Sequence, residues 1–288
     1  MTPLLATVLD LDHALGGNAR LLLGGGLGLF LKQQHLRAAG LRTLLPIDRL
    51  PPARTTQDID LFLPAQVIAS HQQVLRHRAA LDALGFAAVP GAQWLKFQRT
   101  LPTGQVLLDL LVGPLADHAD QVTIKGSRVR PRGLGGSAGL HAFATAHALG
   151  IEATPLTLPL AGLRSDGTPA SCSVRIPLAF TYALMKLAAL RDRIDDPNKQ
   201  LGRHHAMDLY RIAAMLTEPE AAACDDLARA HAGNPELAEA VDTIDSLLAP
   251  SAGIGRIRLL EYHRLSQSDL PAPDADWLVT QLRRLLRP

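Results

Sequence analysis

Cysteine is nearly absent from this chain: Cys172 and Cys224 lie far apart, and neither belongs to a C-x-x-C pair or stands near a metal-spaced histidine. That spacing argues against a disulfide framework or a thiolate metal site and points to a reducing compartment. An excess of either charge is also lacking, with 29 Lys and Arg against 27 Asp and Glu for a formal net charge of +2. Charge alone therefore forces no nucleic-acid reading, although 11 histidines add positive charge at mildly acid pH. Long apolar runs are missing too. The longest are broken by Lys186 or by glycine, so no membrane span is expected. The start, Met1 to Ala6, soon meets Asp10 and Asp12 and has neither a basic n-region nor an uninterrupted apolar h-region. The expectation is a cytoplasmic protein with no membrane partner. At 288 residues and 47% hydrophobic content, the chain is long enough for one large domain or two smaller ones.

What is present is most informative at Thr55-Thr56-Gln57-Asp58-Ile59-Asp60-Leu61-Phe62-Leu63, two carboxylates one residue apart in a run that otherwise reads as a buried strand. Strand side chains alternate faces, so Asp58 and Asp60 project to the same side. Two like charges that close repel unless something positive sits between them. A divalent cation suits the task, because Mg²⁺ takes one or two carboxylates and completes its shell with water and phosphates.

The pattern before this strand is strand, glycine turn, helix: Leu21-Leu22-Leu23, then Gly24-Gly25-Gly26, then a helical period over Leu27 to Leu36. Residues 37–54 show no clear period and read as an insertion, partly loop. Val67 to Leu84 reads as one helix closed by Gly85. Trp94 to Arg99 and Val106 to Val112 read as an antiparallel pair joined through Pro102-Thr103-Gly104. The second strand carries one charge, Asp109, and a strand order that sets it beside Asp58 and Asp60 gathers three carboxylates on one sheet face. Gly133 to Gly139 reads as a flexible run. Thr157 to Arg164 and Ser171 to Ile176 read as strands around a Ser165-Asp166-Gly167 turn, and His141 and His147 as ordinary helix residues. From Pro177 onward the character is helical. The fold class is therefore α+β, with an α/β domain over residues 1–176 and a helical domain over 177–288.

In the helical half Lys186 is the one charged side chain between Ile176 and Leu190. Its bland reading is a lysine snorkelling from a half-exposed helix. Its functional reading is an ammonium aimed into a cleft, meeting a phosphate as a point charge. Asp208, on the next helix, is placed to hold Lys186 or a substrate group, and reads equally as a surface acid. His204-His205 with Asp208 lacks the further ligands of a metal phosphohydrolase site. The glycine triplet by itself only permits a tight turn. Exposed N–H groups at a helix start favour an anion, and the double-carboxylate strand follows.

These motifs together resemble a known family. Gly25-Gly26 after an apolar strand, Arg54 to Leu61 on a later strand and Leu107-Leu108-Asp109-Leu110-Leu111 on a third are similar to the DNA polymerase β-type nucleotidyltransferase fold. The block Leu184 to Arg193, with His205-Ala206-Met207-Asp208-Leu209, resembles more narrowly the AbiEii toxin-like nucleotidyltransferases. The likeness spans about residues 21–216. It departs from the pattern in the longer gap between the glycines and Asp58, and in Gly26 where the superfamily often has Ser.

The resemblance implies a nucleotidyltransferase core followed by a helical domain. It implies that Asp58, Asp60 and Asp109 bind Mg²⁺, with Mn²⁺ as an alternative, and through it the triphosphate of an NTP. Asp109 would also help activate the attacking hydroxyl. Gly25 and Gly26 would cradle phosphate, Lys186 would neutralise charge as pyrophosphate departs, and Asp208 would fix that lysine. The implied acceptor is a tRNA 3′ end and the implied partner a cognate antitoxin. Two basic clusters suit a phosphate backbone: Lys125, Arg128, Arg130 and Arg132, and Arg191, Arg193, Lys199 and Arg203. A solvated basic face is their plain alternative. Three other functions stay open: a glycosyltransferase whose Asp-x-Asp holds a metal on a nucleotide sugar, a nucleotidyltransferase acting on a protein or small molecule, and a binding module without turnover.

Overall fold

The computed structural model describes residues 2–51, 53, 56–102, 104–133, 139–266 and 269–287. Arg54 and Thr55 of the acidic motif, Thr103 of the hairpin turn and most of the Gly133–Gly139 run lie outside them. The protein is α+β, a mixed sheet flanked by helices, and it divides into two compact units. The first comprises residues 1–28, 54–146 and 155–177, the second 29–53, 147–154 and 178–288. Among the described residues no helix is long and apolar enough to cross a membrane.

The first unit opens with a helix that the sequence pattern did not suggest, α1 (Thr2–Ala14), followed by β1 (Leu22–Leu23) and the first turn of α2 (Gly25–Ala38). Next come β2 (Asp58–Phe62), α3 (Ala65–Ala69) and α4 (His71–Ala83). The single helix expected over Val67 to Leu84 is thus two. Ser70 leaves the helical region at ψ 119° and caps α4 by accepting a hydrogen bond from the Gln73 N–H. Gly85, at φ 75°, closes α4. The strands continue as β3 (Ala87–Ala88), β4 (Lys96–Leu101), β5 (Gly104–Val112), β6 (Val122–Lys125), β7 (Arg128–Pro131), β8 (Ala142–Ala144), β9 (Leu156–Leu163) and β10 (Pro169–Ile176). Their main order is β6-β7-β8-β5-β2-β1-β10-β9, with β4 also on β5 and β3 on β4.

One face of this sheet is the core. Ile59, Val106, Leu108, Leu110, Val129 and Val174 are buried on it, and α1 packs along β5, β9 and β10. Alternate positions on the same strands stay partly open, which is the one-sided pattern of a sheet with a core face and a second, more polar face. Asp10 and Asp12, the residues that interrupt the apolar start, are buried in α1 with polar partners. Asp10 accepts from Arg99 at 2.6 Å and from the Ser165 hydroxyl at 2.5 Å, tying β4 and the β9–β10 turn to α1. Asp12 accepts from the Ala19 N–H at 2.8 Å. His141 and His147 are not helical, contrary to the expectation. They lie just before and after β8, because the alanine-rich stretch around them goes into strand and turns.

The second unit is helical: α5 (Ala179–Arg193), α6 (Arg203–Ala214), α7 (Glu218–Ala230), α8 (Pro235–Thr243), α9 (Ile254–Leu265) and α10 (Ala275–Leu285), together with the remainder of α2. Helix α5 packs on α6, α7 and α8, and α6 on α9. A turn at Pro197–Gly202, with Gln200, Leu201 and Gly202 all left-handed, separates α5 from α6.

A buried ion pair ties this unit together. Both Glu220 oxygens accept from Lys32 at 2.6 Å, and Oε1 also accepts from the Ala179 N–H at 2.9 Å, so one carboxylate joins α2, α7 and the start of α5. Both side chains are almost fully excluded from solvent. Removing one member of such a pair strands the other charge, at about 3–5 kcal/mol. Glu220→Ala is therefore expected to lower unfolding free energy by about that amount, read from urea denaturation at pH 7. The apolar double replacement Lys32→Met with Glu220→Leu is expected to recover most of it.

Candidate functional site

The acidic face is built by strand register. β2 and β5 run parallel, with Asp58 beside Leu107 and Asp60 directly beside Asp109. β4 and β5 are antiparallel and set Lys96 opposite Asp109. Side chains directly opposite, and those two apart on one strand, share a face. Asp58, Asp60, Asp109 and Lys96 therefore share one face, the one turned away from the α1 core. The Lys96 ammonium donates to Asp109 Oδ2 at 2.6 Å and lies 5.8 Å from the Phe143 ring centroid. With Lys96 side chain 40% exposed and Asp109 20%, the pair is worth at most about 1 kcal/mol and is easily exchanged. Lys96 was not singled out in the sequence. The hairpin could have revealed it, since a fold that pairs Leu101 with Gly104 carries Lys96 to Asp109.

Glycine shapes the other side of Asp60. The Gly24 N–H donates to the Asp60 carbonyl at 2.8 Å, continuing the β1–β2 ladder. A Cβ on Gly24 would meet the Phe62 ring at 2.6 Å, and one on Gly25 would meet Asp60 Oδ2 at 1.7 Å. Gly25 also has a φ of +56°. The close approach thus falls on Gly24 and Gly25. Gly26 sits one residue further on, buried in the first turn of α2 and without a left-handed backbone.

Among the described residues no group of three His, Cys, Asp or Glu is arranged to hold a metal ion. Strand register nevertheless sets Asp109 beside Asp60 with Asp58 on the same face, and this third acid is held by Lys96. The residues do fit a site of two carboxylates, Asp58 and Asp60, with phosphate oxygens and water completing the shell, which is the habit of Mg²⁺. The cradle that a Gly25 side chain would fill lies against one of those two acids.

The first basic cluster belongs to the same face. β5 pairs Leu111 with Phe143 of β8, β8 pairs Phe143 with Arg128 of β7, and β7 pairs Arg128 with Lys125 of β6. Lys125, Arg128 and Arg130 therefore continue the face that carries Asp60 and Asp109. They stand on a two-strand hairpin and not on the single strand-and-loop segment expected. Beside them His141 is 4% exposed, with no hydrogen-bond partner at Nδ1 among the described residues. Burial and then the charges of Arg128 and Arg130 push its pKa down to about 4 from 6.5.

In the second unit Lys186 is buried on α5 at 6% exposure, which overturns the snorkelling alternative. Its ammonium donates to Asp208 Oδ2 at 2.7 Å, and Arg211 donates to Asp208 Oδ1 at 3.0 Å. Asp208 is therefore no surface acid. Arg211, 1% exposed, reaches the Pro51 carbonyl at 3.3 Å and lies 5.5 Å from the Tyr262 ring centroid. The second basic cluster is largely paired: Arg191 with Asp192 and Glu239, Arg203 with Glu261 at 2.8 Å, and Arg193 with His205 Nε2 at 2.7 Å.

No protein-family model, curated protein or solved structure matches this chain significantly.

Two outcomes follow from this geometry. Gly25→Ala forces Asp60 aside and adds a left-handed alanine, expected to cost about 1–2 kcal/mol from the backbone alone, measurable by urea unfolding. His141 binds a proton in the unfolded chain near pH 6.5 but in the folded chain only near 4. Unfolded molecules therefore hold more protons across that window, and folding stability falls as pH drops through it. His141→Gln is expected to lose less stability than the wild type between pH 7 and 4.5 in the same assay.

Proposed function

We propose that this chain is a metal-dependent nucleotidyltransferase of the AbiEii toxin-like kind, on a polymerase β-type core, moving a nucleoside monophosphate from an NTP to the 3′ end of tRNA. In this reading it is the toxin of a toxin–antitoxin pair and acts in the cytoplasm. The observation that carries the reading is the single row Asp60, Asp109 and Lys96 on an open sheet face, with Gly24 and Gly25 pressed against Asp60 and a basic hairpin continuing the same face.

Asp58 and Asp60 would hold Mg²⁺ or Mn²⁺, which when bound supplies charge neutralisation on the triphosphate and polarises the phosphoryl group under attack. Gly24, Gly25 and Gly26 leave room for phosphate at the start of α2, where N–H groups without helical partners favour an anion. Asp109 would take part, including in activating the attacking hydroxyl, once the half-exposed Lys96 turns to solvent. Lys186, held in one orientation by Asp208, would offer its ammonium to the departing pyrophosphate. Lys125, Arg128 and Arg130 would carry the phosphate backbone of the acceptor.

The deciding experiment incubates the protein with total tRNA, Mg²⁺ and each radiolabelled NTP separately, and compares Asp58→Ala and Lys186→Ala with the wild type. Labelled tRNA is expected with at least one NTP, and both variants are expected to lose about 10²-fold or more in rate while circular dichroism reports native helix content. A fully active Asp58→Ala protein overturns the assignment. Label appearing on protein or on an added small molecule, and not on tRNA, overturns the choice of acceptor.

A further inference from the structure

A second constellation in the first unit is lined by none of the three acids. Asp58 stands at the start of β2, whereas Leu61 to Pro64 at the far end of that strand line a cavity of about 350 Å³. Three arginines line it as well: Arg20 from the loop after α1, Arg76 from α4 and Arg175 from β10. None of them has an ion-pair partner among the described residues, and no acidic side chain lines the cavity.

Three cations so close to one small space repel each other, and the fold nevertheless holds two of them by hydrogen bonds. Arg76 donates through Nη2 to the Leu15 carbonyl at 2.5 Å, and Arg175 through Nε to the Arg20 carbonyl at 2.8 Å. Each keeps further N–H groups for another acceptor, since a guanidinium carries five. The loop itself is shaped for this. Gly16 and Gly17 are at φ 108° and 77°, Arg20 at φ 49°, and a Cβ on Gly16 would stand 3.2 Å from Arg76 Nη2. Asp12, the acid nearest in sequence, is buried and accepts from the Ala19 N–H, which fixes the loop. Leu15, Leu21 and Val67 give the cavity an apolar wall, and Asn18 and Gln66 give it neutral polar groups.

We infer that this cavity binds a small organic phosphate, its phosphate or diphosphate group held by Arg20, Arg76 and Arg175 and its organic part against the apolar wall. Three positive charges with no internal acid call for a ligand of charge −2 or beyond, which favours phosphate over a single carboxylate. The volume falls at the small end of ligand sites, about 300–1,000 Å³, and suits a compact molecule. The inference is independent of the nucleotidyl-transfer reading and uses none of its residues.

The test is isothermal titration of the full-length protein with inorganic phosphate, pyrophosphate and ADP, in low salt and EDTA so that no divalent metal carries the ligand. Wild type and Asp58→Asn are expected to bind pyrophosphate equally with one-to-one stoichiometry. Arg175→Gln and the more exposed Arg20→Gln are each expected to weaken it about tenfold or more, the loss of one charge-assisted contact. Tighter binding of ADP than of pyrophosphate supports the role of the apolar wall. The inference is overturned if wild type binds none of the three, if both arginine variants bind as tightly as wild type, or if only a single-stranded RNA oligonucleotide binds. Asp58→Asn that binds pyrophosphate yet leaves tRNA unlabelled separates this site from the transfer reaction.

Discussion

Parallel pairing of β2 with β5 imposes the constraint around which the first unit is arranged. It sets Asp60 and Asp109 side by side with Asp58 on the same face, and like charges directly opposite in a sheet are destabilising. The core on the other face fixes that arrangement. A one-residue slip of β2 would turn Ile59 and Leu61 outward and the two acids into the apolar layer against α1. The repulsion is therefore answered locally. Lys96 crosses from β4 to Asp109, and Gly25 lets the start of α2 come within van der Waals reach of Asp60. Both answers leave the face open, which a buried arginine bridge would not.

Much of this was legible in the sequence, for identifiable reasons. The period-two alternation of Asp58 to Phe62 and Val106 to Val112 survives in the fold because each strand has one buried side, and the Pro-Thr-Gly signal marks a real hairpin. Helix α1 is not legible in the sequence because Asp10 and Asp12 interrupt its apolar pattern. They are buried in the helix by partners at residues 19, 99 and 165, which no local pattern announces. The break at Ser70 follows from a side-chain cap competing with a continuous helix, and the pattern of apolar residues alone does not register that competition.

The buried cations of the second unit draw the same line. Lys186 stood out because its helix is otherwise apolar, and its partner Asp208 lies on the next helix, within reach of a sequence argument. Lys32 gave no such signal. Its partner Glu220 is 188 residues away, and the pair becomes visible only when α2, α5 and α7 have assembled. Both pairs take charge out of water, so the attraction between the partners is spent largely against the cost of desolvation.

A net charge of +2 by itself forces no anionic partner, and the fold shows how such an average hides local clusters of charge. In the first unit one sheet face is filled mainly by apolar side chains, with Arg99 paired to Asp10 of α1, and the other face carries most of the strand charges. Acids and bases are thus sorted along a single surface: the carboxylates near its middle, and Lys125, Arg128 and Arg130 toward β6. Each patch projects its own field over about a Debye length, roughly 8–10 Å at ordinary ionic strength. Beyond that distance the patches cancel, and within it a bound ligand meets only its nearest patch. The sum of charges over the chain is therefore silent about recognition, whereas the register of the strands is not.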